Sequence, residues 1–187
     1  MVFRTGGAAR LTRTGESDIV GLRPGVDGTV TPMVATSDFA EQDPALSPDG
    51  RWLAYTSDET GRNEVYVRPF PNVDSTRVRV STDGGFSPLW AHSGSELFFV
   101  DVEGGSLIAT EVETALGFRV LQRETLFAFG AGATGLLAAP RGDLYDIAPK
   151  DQRFLMLRLV LAFQSGESGE FILVQNFFEV LKERVGG

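Results

Sequence analysis

Residues 47–55 read Ser-Pro-Asp-Gly-Arg-Trp-Leu-Ala-Tyr, a turn signal followed directly by an apolar run. Pro48 fixes its own φ angle, the Asp49 side chain bonds back to the backbone, and Gly50 accepts the positive φ that a tight hairpin requires. In the run that follows, apolar residues occupy both alternating sets of positions, which is typical of a strand covered on both faces. The stretch therefore predicts a hairpin and a strand that lies between two neighbouring sheets.

An echo of this stretch returns downstream without a gap. Residues 88–99 align to residues 44–55, an offset of 88 − 44 = 44 residues, and a third, weaker copy lies at residues 145–155. A period of roughly 40–45 residues with several strands per unit is the spacing of β-propeller blades. The repeat therefore predicts an all-β chain built of propeller blades.

The segments between the copies complete the unit. Further short β-rich segments lie at residues 1–3, 18–22, 31–34, 64–68, 77–81, 96–102, 107–112 and 118–127. The first three are interpreted as the last strands of a blade whose first strand is missing. Near the other end, Asn176 and Glu179 form a capping pair, and apolar residues follow at helical spacing, so a short helix is predicted there.

These segments give a domain organisation. The predicted units are a partial first blade (1–37), two blades (38–82 and 83–129), a glycine-rich inter-blade loop (130–142), a degenerate last blade (143–175) and a C-terminal helix and tail (176–187). The predicted fold is thus a partial propeller of about three to four four-stranded blades with a short C-terminal α-helix, fewer than most closed rings contain.

Composition limits the partners. The chain has 187 residues, 42% of them hydrophobic, with a formal net charge of −8 and no cysteine. The negative charge argues against nucleic acid as the partner, and the absence of cysteine excludes disulfides and thiolate metal sites. No apolar stretch approaches the ~20 residues of a membrane span, and no signal peptide is evident. As given, the chain is expected in the cytoplasm, or outside it if its parent protein is anchored in a membrane.

The copies carry a resemblance that covers most of the chain. Residues 47–57 and 64–70 resemble the TolB-like, WD40-like β-propeller repeat. A narrower resemblance is to the C-terminal propellers of bacterial serine/threonine protein kinases. It is carried by residues 65–71, 145–149, 153–156 and 176–182. In those proteins the kinase domain lies upstream, and the resemblance implies that the propeller is a sensor or interaction module.

Several motifs suggest catalysis but have simpler readings. Residues 130–135 match G-x-G-x-x-G, yet Pro140 interrupts the helix that a dinucleotide site needs, so a loop is preferred. His92 falls in a predicted surface turn, although a ligand-contacting role stays open. Residues 166–169 lack the G-x-S-x-G spacing of a hydrolase, and the kinase catalytic-loop motifs are missing. The chain is therefore predicted not to be an enzyme, and no cofactor is expected.

Three acidic residues before the first complete repeat suggest a calcium loop. Asp38, Glu41 and Asp43 lie close together in sequence, and calcium favours several carboxylates on one loop. The spacing of a dedicated calcium loop is absent, so a solvated acidic turn is preferred and no metal site is predicted.

A ligand is expected where the blades connect, because function tends to lie on such loops. The predicted loops are residues 37–44, 82–88 and 130–143. The candidate ligand-binding residues are Asp43, Phe86, Trp90, Gly130 and Gly132. For Trp90, core packing is the simpler and preferred interpretation.

The preferred function is a non-catalytic propeller module that binds a protein, a peptide or a small ligand as the sensor part of a larger bacterial signalling protein. Two alternatives stay open. One is the propeller portion of a prolyl-oligopeptidase-like hydrolase. The other is a half-propeller that completes its ring by association with a second copy, which would cover the strand edges that an open stack leaves exposed.

Overall fold

The structure, a computed structural model, describes residues 2–4, 17–22, 29–101, 105–128, 145–149 and 153–156, with the backbone alone at 2–4. The chain divides into two compact units, Met1–Ala128 and Phe129–Gly187. The predicted glycine-rich loop and C-terminal helix lie outside the described residues. Over those residues the regular elements are all β-strands, and no helix is present that is long and apolar enough to cross a membrane.

The described part of the first unit contains three antiparallel sheets. Its strands are β1 (Val2–Arg4), β2 (Ile19–Leu22), β3 (Val30–Val34), β4 (Glu41–Leu46), β5 (Trp52–Ser57), β6 (Glu64–Pro69), β7 (Val78–Arg79), β8 (Phe86–Trp90), β9 (Glu96–Asp101), β10 (Ser106–Glu113) and β11 (Arg119–Ala128). Strands β1 to β3 form a three-stranded sheet, and β4 to β7 and β8 to β11 each form a four-stranded sheet. In every sheet, strands that follow each other in sequence are paired.

Consecutive four-stranded antiparallel meanders are the blades of a β-propeller. The fold class predicted from the repeat is therefore confirmed for the described residues: the chain is a partial propeller. The three-stranded first sheet matches the expected last three strands of a blade. The residue boundaries drawn between blades from sequence stay predictions.

Strand β5 shows how the blades pack. Leu53 and Tyr55 belong to an apolar cluster with residues of β2 and β3, whereas Ala54 lies in a second cluster with residues of β8, β9 and β10. Successive side chains of a strand point to opposite faces, so β5 is covered on both sides, as its sequence predicts. Leu53 is 0% exposed, and burying such a side chain contributes about 1.5–3 kcal/mol.

The second cluster is the larger core and lies between the two four-stranded sheets. Its buried members are Ala54, Val65, Val67, Val80, Trp90, Leu97, Phe99, Val112 and Phe118. Buried residues of this cluster come from β5, β6, β8, β9 and β10 and from the loops beside β7 and β11. The strands β4, β7 and β11 each pack one partly buried residue against it: Ala45, Val78 and Val120. The two blades are thus joined along their whole width by apolar burial.

The turn in residues 47–55 forms as predicted. The Ser47 amide donates to the Trp52 carbonyl at 2.9 Å, the Gly50 amide donates to the Ser47 carbonyl at 2.8 Å, and Gly50 has a φ of +70°. Asp49 Oδ1 accepts a hydrogen bond from the Arg51 amide at 3.1 Å. This is the side-chain-to-backbone bond expected of that position.

The second copy repeats the same bonds 44 residues later. The Ala91 amide donates to the Glu96 carbonyl at 2.9 Å, the Gly94 amide donates to the Ala91 carbonyl at 2.9 Å, and Gly94 has a φ of +75°. His92 lies exposed in this turn, as predicted. The two copies therefore share a backbone conformation even where their side chains differ.

The third copy forms a hairpin in the second unit. Strands β12 (Tyr145–Ile147) and β13 (Phe154–Met156) pair antiparallel. The Ala148 amide donates to the Arg153 carbonyl at 2.8 Å, which is the counterpart of the bond between Ser47 and Trp52. The rest of the predicted last blade lies outside the described residues.

The outer strand of the first complete blade is shorter than the sequence predicts. A strand over 77–81 was expected, but β7 covers only Val78–Arg79. The backbone still runs alongside β6, because the Val80 amide donates to the Val65 carbonyl at 2.8 Å. The Val65 amide, however, donates to Ser81 Oγ at 2.7 Å instead of to a backbone carbonyl. A side-chain hydrogen bond thus takes the place of the next backbone bond of the β-ladder, and the strand ends early.

Candidate functional site

The inner strands β4 and β8 share an irregularity. Each is the first strand of its blade and lies at the edge of its sheet. Asp43 in β4 has a φ of 50° and Ser87 in β8 has a φ of 51°, and each is followed by a proline. The pairing register shifts at both positions, which marks a β-bulge that bends the strand and redirects its polar groups. Left-handed backbone is uncommon for residues other than glycine, so its recurrence 44 residues apart is a defined feature of the inner edge.

The Asp43 carboxylate joins the two inner strands. Its Oδ2 accepts a hydrogen bond from Thr56 Oγ1 at 3.1 Å and another from the Ser87 amide at 3.3 Å. Thr56 belongs to the same blade as Asp43, whereas Ser87 belongs to the next. Asp43 is half-buried, so this carboxylate lies at the boundary between the two blades and solvent.

Phe86 opens β8 directly beside this contact and is also half-buried. Gly85, the residue before it, has no room for a side chain. A Cβ at this position would lie 2.8 Å from Ser81 Cβ and 2.9 Å from Phe99 Cδ2. The Gly85 amide donates to the Asn63 carbonyl at 2.9 Å. Only glycine fits this close approach, and it fixes where Phe86 enters the inner strand.

Trp90 lies at the opposite end of β8 and is 4% exposed. Its Nε1 donates to the Ala45 carbonyl of β4 at 3.2 Å, and its ring meets Phe118 edge-on with the ring centroids 6.1 Å apart. The structure thus places Trp90 in the core between the blades, which is the interpretation preferred from its sequence. A ligand would reach little of this side chain.

Of the five candidate ligand-binding residues, the structure brings Asp43 and Phe86 together at one end of the inner strands. Trp90 is separated from them along β8. Gly130 and Gly132 lie outside the described residues, so their role stays a prediction.

The three carboxylates considered for calcium do not converge. Glu41 is 2% exposed and accepts hydrogen bonds from the hydroxyl and the amide of Thr36. Asp38 is exposed and accepts from Ser37 Oγ at 3.3 Å, while Asp43 reaches Thr56 and Ser87. Among the residues that the structure describes, no group of three or more histidine or carboxylate side chains is placed to hold a metal ion.

Glu41 nevertheless has a distinctive electrostatic environment. Burial is the largest cause that raises its pKa above the ordinary value, and the negative charges of Asp18 and Asp58 add to it. The hydrogen bonds from Thr36 act in the opposite direction. Asp58 Oδ1 also accepts from the Ala40 amide at 2.8 Å, so the connection into β4 is held by side chains of two loops.

Sequence reasoning missed Ser87 and Thr56, the two partners of Asp43. A signal was available, because Pro44 and Pro88 occupy equivalent places in the two copies. Proline inside a strand is confined to edges and bulges, so this pair of prolines marks the inner strands as bulged edges.

No protein-family model matches the chain, and no curated protein matches it. A solved structure described as a TolB protein from Agrobacterium tumefaciens is 25% identical, with 59% of this chain and 41% of that one covered at a TM-score of 0.45. Another, described as a 6-phosphogluconolactonase from Bacteroides fragilis, is 18% identical, with 57% and 33% covered at a TM-score of 0.38. The matches thus span well under two thirds of the length of those structures. The assignment of the fold rests on strand order and register.

Proposed function

We propose that this chain is a non-catalytic β-propeller module that binds a peptide or a small ligand at the inner edge of its blades. The observation that carries the proposal is the Asp43 carboxylate, which lies between two consecutive inner strands and accepts a backbone amide of the second at 3.3 Å. At this end of the inner strands, the charged Asp43 side chain, the bulged backbone and the half-buried Phe86 lie close together. Binding sites typically combine a few fixed polar groups with apolar surface.

The chemistry of this edge favours a ligand that donates hydrogen bonds. A carboxylate only accepts them, and it can accept several at once. The net charge of −8 attracts cations and repels anions over the surface as a whole. An amine, a guanidinium or the amide groups of a peptide are therefore the preferred contacts of Asp43.

The position of the one histidine supports a non-catalytic role. A nucleophile activated by histidine needs the two side chains within hydrogen-bond reach. His92 is the single histidine of the chain, and it lies in the turn after β8. Asp43 and Ser87 are at the other end of that strand. The groups of the proposed site are thus suited to holding a ligand.

The test is a binding screen with defined probes: short peptides rich in lysine or arginine, matched peptides rich in glutamate, and free polyamines. We expect a cationic probe to raise the melting temperature, and Asp43→Asn to weaken its binding about tenfold, equivalent to about 1.4 kcal/mol. Asp74→Asn is the matched control, because Asp74 is exposed in a loop outside the inner edge.

Two results would contradict the proposal. One is that no probe class changes the melting temperature. The other is that Asp43→Asn and Asp74→Asn affect binding equally. Because Asp43 also links the blades, far-ultraviolet circular dichroism of both variants must first show the same β-content as the unsubstituted protein.

We further propose that the module is the sensor part of a larger bacterial signalling protein with a kinase domain upstream. The support is the sequence resemblance of residues 65–71 and 145–149. The parent gene tests it: an in-frame kinase domain before Met1 is the expected result, whereas a hydrolase domain in the same reading frame would overturn it. Light scattering tests the association of two copies, and a monodisperse monomer would exclude that arrangement.

A further inference from the structure

Two aspartate–glycine pairs in the described residues have very different surroundings. They are Asp49–Gly50 in the first turn and Asp83–Gly84 in the connection between the two complete blades. Both glycines have positive φ angles, +70° and +103°. A glycine has no Cβ, so its amide nitrogen can approach the side-chain carbonyl carbon of the preceding aspartate without steric hindrance. Such pairs are therefore candidates for internal cyclisation.

At the first pair both reacting groups are held. The Asp49 carboxylate accepts from Ser47 Oγ at 2.6 Å, from the Arg51 amide at 3.1 Å and from Arg51 Nε at 2.7 Å. The Gly50 amide, which would have to attack, donates to the Ser47 carbonyl at 2.8 Å. The hydrogen bonds from Ser47 and Arg51 also lower the pKa of Asp49 to about 2, so the protonated acid that cyclises is rarer than it is for an aspartate of ordinary pKa.

The second pair lacks these restraints. The Asp83 side chain is 86% exposed, and its contacts are long: Arg62 Nη2 lies 3.6 Å from Oδ1, and Thr82 Oγ1 lies 3.4 Å from Oδ2. An exposed ion pair at such a distance holds a side chain only weakly. The Gly84 amide makes no bond to the Ser81 carbonyl of the kind that Gly50 makes to Ser47. The carboxyl of Asp83 is thus held much more loosely than that of Asp49.

We propose that Asp83–Gly84 is a site of spontaneous covalent modification, at which Asp83 isomerises to isoaspartate while Asp49 is protected by its turn. The Gly84 nitrogen attacks the Cγ of the protonated Asp83 carboxyl. The N–Cγ bond forms, the Cγ–OH bond breaks, and the hydroxyl leaves with the amide proton as water. The product is a five-membered cyclic imide.

Hydrolysis of the imide completes the reaction. When water adds to the main-chain carbonyl carbon of Asp83, the bond from that carbon to the Gly84 nitrogen breaks. The chain then runs through Cγ, and the former main-chain carbonyl becomes a free carboxylate. When water adds to Cγ instead, aspartate is regenerated. No oxidant, reductant or cofactor takes part.

The modification would lengthen the connection at a point with little room. It inserts one methylene into the main chain three residues before Phe86. The neighbouring Gly85 is fixed by the bond to the Asn63 carbonyl at 2.9 Å and by its close approach to Ser81 and Phe99. We therefore expect isoaspartate at position 83 to disturb the start of β8, including the Ser87 amide that Asp43 binds.

The test is incubation of the folded chain at neutral pH and physiological temperature, followed by tryptic peptide mapping. An isoaspartate-specific carboxyl methyltransferase detects the product, and fragmentation by electron transfer locates it. Trypsin separates the two sites because several arginines lie between them. We expect isoaspartate to accumulate at position 83 at least about tenfold faster than at position 49, since the lowered pKa of Asp49 alone reduces its protonated fraction by more than that factor.

Three controls show whether structure is the cause. In urea the two sites should react at comparable rates, because the hydrogen bonds of the first turn are lost. Ser47→Ala should raise the rate at Asp49 in the folded chain, and Asp83→Glu should abolish the signal at position 83. Equal rates at the two sites in the folded protein, or the same rate difference in urea, would overturn the proposal. So would the absence of isoaspartate at position 83.

Discussion

The two complete blades have the same backbone but different side chains at equivalent positions. Both contain the turn with a left-handed glycine and the bulge before a proline. Leu46 in the first blade, however, is replaced by Trp90 in the second, and Glu41 is replaced by Gly85. The repeat thus specifies hydrogen bonds and φ angles, while the side chains are fitted to whichever sheet lies beside each blade.

The pair Leu46 and Trp90 shows why. Trp90 is 4% exposed because it packs over the preceding inner strand and donates to the Ala45 carbonyl. Leu46 is 37% exposed. Among the described residues, the first sheet has three strands and packs β1 and β2 against β4, and none of the three is an inner strand equivalent to β4. The lack of such a strand in the described part of the first sheet accounts for a buried side chain at this position in one blade and an exposed one in the other.

The largest expected effect on stability comes from truncating Trp90, the buried residue of that pair. Trp90→Ala should reduce the free energy of unfolding by about 3–5 kcal/mol, because it opens a cavity between the blades and removes the bond to Ala45. Leu46→Ala, at the equivalent position, should cost only about 1 kcal/mol, because that side chain is partly exposed and leaves no enclosed cavity. Urea unfolding of both variants is the measurement. Similar losses in the two would contradict the packing described.

The next largest effect on stability concerns the other equivalent pair, Glu41 and Gly85. Gly85→Ala should destabilise the protein by about 1–3 kcal/mol, since the new methyl group would overlap the Ser81 side chain and the Phe99 ring. Glu41→Ala, at the equivalent position, introduces no such overlap. Thermal unfolding measures the loss. A neutral Gly85→Ala would show that the connection is not tightly held.

The turn glycines should behave alike in the two blades. Gly50→Ala and Gly94→Ala should each lose about 1–2 kcal/mol, because a left-handed backbone places Cβ close to the following carbonyl. A Cβ would have open space around it at Gly50 and only an ordinary contact with Pro48 at Gly94. Backbone conformation is therefore the common cause. Denaturant unfolding measures both, and clearly unequal losses would contradict a shared turn.

The smallest effect is a pH dependence confined to the first turn. The pKa of Asp49 is about 2 in the folded chain, below its ordinary value. Its ionised carboxylate therefore stabilises the fold above about pH 4, and this stabilisation is lost as the pH falls towards 2. The side chain is about half exposed, so solvent limits the contribution to below about 1 kcal/mol. Asp49→Asn should flatten this part of the stability profile. An unchanged profile would contradict the role of the carboxylate.

The fold could be predicted from the sequence because local signals and periodicity agreed. The turn at 47–50 needs specific residues, and β5 needs apolar residues on both faces, so each is visible in the chain itself. The early end of β7 could not be predicted, because it depends on the Ser81 hydroxyl reaching the Val65 amide of another strand. Such a contact exists only once the sheet has formed.

The candidate site was only partly predictable. The repeat predicts Asp43 and Phe86 on the connections between blades, whereas the structure places them inside β4 and β8, the strands that those connections enter. The repeat locates the strand that contains Trp90, which makes this residue a candidate ligand contact and, by preference, a core residue. The direction of its side chain depends on the bulge at Ser87. The bond from the Ser87 amide to Asp43 depends on two strands 44 residues apart, which only the packed blades bring together.

The inner strands of the two repeats lie side by side, and one nuclear magnetic resonance measurement can establish this. The chain has two tryptophans, so its indole region contains two signals. The Trp90 indole proton should be protected from exchange and should show a nuclear Overhauser effect to Ala45, the residue whose carbonyl it binds at 3.2 Å. Rapid exchange of that proton with solvent, and no effect to Ala45, would contradict the arrangement of the blades.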